Sequence, residues 1–170
     1  MVLVPQPGTG GNPAVLTPGS VKHVPQSKRA LMVHWAQAAV IHQAAFSYTQ
    51  DPRRSEMFHR TPGDFRPTIH ADCSQFYASI CHWVGIPGLD DRDYTGTLLQ
   101  KGRLVTKPKA GDCVIFGGGT GEHAAMVTFN GYTIGFGHSP GAPNRVKLTD
   151  MIAWFQAHNH PGVRYLSFVS

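Results

Sequence analysis

Three residues in this chain have side chains and spacing suited to nucleophilic chemistry: Cys73, His123 and His138. Cys73 lies in "DCSQF", residues 72–76, directly after an aspartate and at the start of a helical pattern. With Asp72 as N-cap, Gln75 falls at N3 in a capping-box arrangement and Cys73 is the first helical residue. A thiol there meets the positive end of the helix dipole, which favours thiolate, the form that attacks carbonyls. Cys73, Phe76, Tyr77, Ile80 and Val84 fall on one helical stripe, so the thiol faces whatever the helix packs on. Position alone allows two roles, a buried packing cysteine or an activated nucleophile, and a nearby base decides between them.

The two histidines bound the run "HAAMVTFNGYTIGFGH". Asn130-Gly131 between two apolar, β-rich segments is a strong hairpin signal. A two-residue turn there pairs Phe129 with Tyr132, Val127 with Ile134 and, at the far end, His123 with His138. Directly paired residues share one sheet face, with Cβ atoms ~5 Å apart. A bulge at Gly135 or Gly137 would shift this register by one residue. The pair reads in three ways: polar surface residues, two ligands of a metal site completed by Cys73 or Glu122, or a catalytic base with its orienting partner.

The elements that must position these residues divide the chain. Residues 1–26 carry Pro5, Pro7, Pro13, Pro18 and Pro25 with several glycines, the composition of an extended arm. Residues 27–170 read as one domain. "SKRALMVHWAQAAVIHQAAF", 27–46, is the clearest helix, with Ser27 as N-cap. Residues 49–67, polar and broken by prolines, read as a long loop bordering a cleft. The cysteine helix runs from 73 to about 84 and stops at Gly85 and Pro87. Beyond it the period changes: "GDCVIF", "EHAAMVTF", "YTIGFG", "NRVKL" and "VRYLSFV" read as short strands, with a helix at 149–158. Helices first and an antiparallel sheet afterwards predict an α+β fold.

The 170 residues suffice for one real core, and 41% of them are hydrophobic. No run approaches the ~18 apolar residues of a membrane span. The start "MVLVPQPGTGG" has neither the basic segment nor the apolar run of a secretory signal, which points to synthesis in a cytoplasm. The net charge of +5 favours anionic partners, among them nucleic acid, membrane surfaces or an anionic cell wall. No RNP-like motif, zinc-finger spacing or dense Lys/Arg run points to specific nucleic-acid binding. The 3 cysteines do not form a disulfide framework; Cys81 and Cys113 read as packing residues.

Asp72-Cys73-Ser74 opening a helix resembles the nucleophile motif of the NlpC-type cell-wall cysteine peptidases. "KPKAGDCVIF", 107–116, is similar to that family's P-x-x-G-D-x-V-x-F strand, and "EHAAMV", 122–127, to the strand opening with its catalytic histidine. "GFGHSPGAP", 135–143, resembles the third-residue strand, in the form found in phage members. Order and rough spacing agree from about residue 30 to 168. The resemblance implies a papain-like fold with N-terminal helices packed on a central antiparallel β-sheet. It implies Cys73 as nucleophile, His123 as general base and His138 as the residue orienting it. Tyr48 in "FSYTQ" is the best match to a family tyrosine whose hydroxyl lies near the thiol, although the following Gly-Gly is absent and the gap to the cysteine is long. Gln75 stands where many members have glycine. Tyr48, Ser74 and Gln75 are thus the expected substrate-contacting residues, with no cofactor and no metal. The implied substrate is the stem peptide of bacterial peptidoglycan, and the implied setting a phage lysis or virion protein made in the host cytoplasm, whose arm can join tail or virion partners. Three alternatives remain: a non-catalytic wall-binding or tail module, an acyltransferase or amidase on the same scaffold, and a zinc hydrolase using His123 and His138.

Overall fold

The helix at Cys73 organises the architecture. In the computed structural model, which describes residues 27–136 and 141–170, α2 spans Cys73–Trp83, and the first nine of its 11 residues are buried. A helix buried on every side must lie inside the domain. One side meets α1 (Lys28–Ile41), another the 3-10 helix Pro52–His59, and a third the sheet. Ser27 caps α1 by accepting from the Ala30 amide, as its position in the sequence predicts.

The sheet has six antiparallel strands: β3 (Arg103–Val105), β4 (Cys113–Phe116), β5 (His123–Val127), β6 (Tyr132–Gly135), β7 (Asn144–Lys147) and β8 (Val163–Ser167). Their order is β3-β8-β4-β5-β6-β7. Every residue of β4 and β5 is buried, because both sheet faces are covered. One face carries Cys113, Ile115, Ala124, Met126, Ile134 and Leu166 against α1 and α2. The other carries Val114, Phe116, Ala125 and Val127 against Met151 and Phe155 of α4. Helix α4 (Leu148–Ala157) lies within one residue of its expected span, and the α+β class with N-terminal helices on an antiparallel sheet is the observed one.

Several elements differ from expectation. The expected loop at 49–67 contains the 3-10 helix Pro52–His59, which buries Met57 and Phe58. Asp51 caps it by accepting from the Arg53 amide, and Pro52 takes the first-turn position that suits proline. The first helix stops at Ile41, and Phe46–Tyr48 forms β1, which pairs in parallel with β2 (Ile69–Ala71). Helix α3 (Thr95–Lys101) and strand β3 follow the cysteine helix without a clear sequence period. Among the described helices none is long and apolar enough to cross a membrane. The arm, 1–26, lies outside the described residues.

The β5–β6 register also differs, by one residue. Met126 faces Ile134 and Val127 faces Thr133. Asn130 (φ 61) and Gly131 (φ 73) do adopt the left-handed backbone that the hairpin signal requires. Phe129 joins the loop, however, and the Thr128 amide donates to the Tyr132 carbonyl at 2.8 Å. The physical reason is the two-sided core. Ile134 belongs with Met126 on the α2 face, whereas Val127 belongs to the α4 face, and a one-residue slip exchanges faces. The expected His123–His138 pairing lies outside the described residues, since His138 does.

Helix α1 is tied to the sheet by one buried carboxylate. Asp112, 1% exposed, accepts from Arg29 Nη1 at 2.7 Å and from the Lys109 amide at 2.7 Å. Arg29 also donates to the Ala110 carbonyl and to Ser167 Oγ. Asp112→Ala should cost roughly 2–4 kcal/mol in urea unfolding, because it strands both a partly buried guanidinium and an amide. Asp112→Asn should cost less, and equal stability of Asp112→Ala and wild type would exclude this anchoring role.

Candidate active site

The site is built on the first turn of α2. Asp72 has extended backbone (φ −104, ψ −178), and its Oδ1 accepts from the Gln75 amide at 2.7 Å, as an N-cap should. The same oxygen accepts from Ser74 Oγ at 2.8 Å. Asp72 Oδ2 accepts from Arg54 Nη1 at 2.8 Å. Arg54 also donates to the carbonyls of Asp93 (3.0 Å) and Arg92 (2.9 Å). The Gln75 side chain does not return to the cap: its amide nitrogen donates to the Asp93 carbonyl at 2.7 Å. One buried carboxylate, one arginine and one glutamine therefore strap the 90–93 turn onto the helix start.

Cys73 is 6% exposed and lines a cleft of about 330 Å³ shared with Gln50, Tyr94, Thr95, Thr120 and Glu122. Gly121 lines it too, with φ 81 and a position where a Cβ would sit 2.4 Å from Ile115 Cγ2, so the approach to the site needs glycine there. Burial, followed by the Asp72 charge, pushes the Cys73 thiol up to about 12. The backbone amides of Ala124, Ser74 and Cys73 itself pull the other way and do not overcome it. The lowering expected from the helix start is thus outweighed by desolvation, and the thiol needs a proton acceptor to become a nucleophile.

Ala124 is the residue after His123, so β5 brings the histidine strand to the cysteine. His123 opens β5, is 7% exposed, and stacks on Phe116 (6.0 Å between centroids, 27°) and Phe155 (5.8 Å, 20°). Tyr48 arrives by a different route. It pairs with Ala71, two residues before Cys73, and its hydroxyl accepts from Gln50 Nε2 at 3.0 Å. Burial and then the Cys73 charge raise its phenol, which places Tyr48 within electrostatic reach of the sulfur.

Of the residues expected from sequence, Cys73, Tyr48 and the strand of His123 come together. Ser74 lines the cleft, but its hydroxyl is committed to Asp72. Gln75 has no exposed surface, so its expected contact with substrate is replaced by a role in holding the 90–93 turn. Cys81 and Cys113 are fully buried, and burial pushes both thiols up, in keeping with packing roles. Glu122 Oε1 bonds His160 Nδ1 at 2.6 Å. Among the described residues no three His, Cys, Asp or Glu side chains cluster as a metal site would. Arg54 went unread: it lies 18 residues from Asp72, and nothing in the spacing links them.

Solved structures share this architecture. The NlpC/p60 domain of the peptidoglycan hydrolase SagA aligns with 82% of this chain and 97% of its own, at 19% identity and a TM-score of 0.52. The hypothetical invasion protein Rv1477 of Mycobacterium tuberculosis aligns over 86% of this chain and 66% of its own, at 15% identity and a TM-score of 0.54. For NlpC1 from Trichomonas vaginalis the values are 78%, 43%, 15% and 0.50. The chain therefore has the papain-like fold of NlpC/p60 domains. No protein-family model matches its sequence, and no curated protein does.

The strap at the helix start is testable. Arg54→Met keeps the aliphatic stem and leaves Asp72 uncompensated beside Cys73. It should lower stability by roughly 2–4 kcal/mol and slow alkylation of Cys73 at pH 8. Unchanged unfolding and alkylation in this variant would show that Asp72 does not depend on Arg54. In wild type, iodoacetamide should modify Cys73 ahead of Cys81 and Cys113 by peptide mapping, and equal labelling of all three under native conditions would contradict the cleft position of Cys73.

Proposed function

We propose that this protein is an NlpC-type cysteine peptidase that cleaves an amide bond in the stem peptide of bacterial peptidoglycan. One observation carries the reading: the only cysteine on the described cleft begins a capped helix that packs on β5, the strand His123 opens, in an NlpC/p60 fold. SagA, which shares that fold, is a peptidoglycan hydrolase.

In this reading His123 is the general base. Burial pushes the Cys73 thiol up, so attack needs a base, and in this reading the His123 imidazole takes the thiol proton as the sulfur attacks. The thiolate attacks the amide carbonyl carbon. The Cys73 N–H and the Tyr48 hydroxyl are donors suited to the oxygen that becomes negative. His123 returns the proton to the leaving nitrogen, the C–N bond breaks, and water then releases the acyl group from sulfur. His138, from the "GFGHSPGAP" motif, orients the His123 ring. The phage setting, with the arm at 1–26 joining virion partners, rests on that same motif.

The raised thiol favours one alternative, a non-catalytic wall-binding module on this fold. Digestion of purified peptidoglycan followed by mass spectrometry separates the two. Wild type should release fragments with new amino termini, while Cys73→Ala and His123→Ala should each lose on the order of 10³-fold or more. His138→Gln should keep measurable activity, and His138→Ala should fall lower. An absence of fragments with wild type would favour the binding module.

The base also makes a prediction about the thiol alone. Alkylation of Cys73 in His123→Ala should be slower than in wild type at pH 7 and approach the wild-type rate only toward alkaline pH, where the thiol ionises without a base. Identical pH profiles would remove His123 as the proton acceptor.

A further inference from the structure

The distribution of charge is uneven in a way the proposed reaction does not use. Every lysine and arginine from 51 to 101 faces a carboxylate at 3.9 Å or closer. The next segment, "RLVTKPK", 103–109, carries three cations and no acid. Arg103, Lys107 and Lys109 are exposed, and among the described residues their side chains have no ion-pair partner. They line one concavity of about 410 Å³, with Thr106, Arg29 and Asp112. Asp112 contributes no free negative charge there, since Arg29 sits on it at 2.7 Å. The cavity is therefore cationic, and its walls are held by the anchor that joins α1 to the sheet.

Unpaired like charges gathered around a hollow are disfavoured in the free protein and relieved by an anion. An arginine fork, two ammonium groups and a hydroxyl suit the oxygens of phosphate. β3 is an edge strand, so the backbone on its outer side faces no strand of the sheet. The site shares no residue with the cysteine cleft. It is nevertheless near in the chain: α3 starts at the cleft residue Thr95 and, at ~1.5 Å per residue, delivers the chain to β3 about 10 Å further on.

We propose that the cavity at Arg103, Lys107 and Lys109 binds the phosphodiester groups of an anionic polymer carried by the cell wall, and so holds the protein on the surface where its cleft works. Placing that polymer on a wall rests on the peptidase reading, whereas the anion site itself does not. The occupant is a phosphodiester chain because the cavity carries three cations with no free acid and lies beside the open edge of the sheet, which leaves an extended polyanion room to continue past it.

The test is sedimentation of the full chain, carrying Cys73→Ala so that no hydrolysis occurs, with two wall preparations. One retains its phosphodiester polymer, and the other has been stripped of it with cold hydrofluoric acid. Binding to the polymer-bearing wall should be on the order of 10-fold tighter than to the stripped wall and should fall as salt rises. Adding Arg103→Gln, Lys107→Gln and Lys109→Gln should abolish the difference. All three are surface residues outside the cleft, so the triple variant with Cys73 intact should cleave a soluble stem peptide at the wild-type rate. Equal binding to both walls, undiminished binding by the triple variant, or preferential binding to duplex DNA or anionic lipid vesicles at equal phosphate concentration would overturn the proposal. A failure of stem-peptide cleavage by wild type would instead strike the peptidase reading and leave the wall-binding result standing.

Discussion

The carboxylate of Asp72 is the constraint on which the rest of the site depends. A buried charge is costly unless donors surround it, and Asp72 has three: the Gln75 amide, the Ser74 hydroxyl and the Arg54 guanidinium. Each donor fixes something different. The amide starts α2 at Cys73, the hydroxyl settles the next side chain, and the guanidinium draws the Pro52–His59 helix and the 90–93 turn against the same point. The arrangement also has a chemical cost. The charge that caps the helix stands beside the thiol and raises it, in opposition to the three backbone amides that favour thiolate. Arg54, itself part of the cleft wall, matters because it offsets that charge.

The doubly covered sheet supplies the other half of the site. β5 is buried along its whole length, so alternate residues serve separate cores. Ala124 packs toward α2, and its backbone amide pulls the Cys73 thiol down, while His123 stacks with Phe116 and Phe155 on the α4 side. A strand exposed on one face would hold the histidine less firmly, since Phe116 of β4 and Phe155 of α4 both pack against its ring. The parallel β1–β2 pair plays a matching role on the opposite flank. Each strand has three residues, yet the Tyr48–Ala71 pairing is what carries a phenol 25 positions upstream to the helix start. Short pairings of this kind leave little trace in hydrophobic period, because three residues cannot establish one.

The sequence by itself determined what depends on neighbours in the chain. Asp72 three residues before an amide donor declared a helix start; Asn130-Gly131 declared left-handed backbone; the segments at 111–116, 122–129 and 163–169 declared strands; and a helix-to-sheet order declared the α+β class. Motif order pointed to Cys73 and His123. Tertiary structure alone decided what depends on distant groups meeting. Arg54 reaches Asp72 across 18 residues, and Gln75 turns inward to a carbonyl of the 90–93 turn because that turn folds back over it. The hairpin slips one residue because two cores compete for its side chains, a contest no turn dipeptide records. The protonation of Cys73 was beyond local reading for the same reason. A helix start favours thiolate through charges within one turn, whereas desolvation comes from every element packed around the sulfur, and here the second effect is the larger.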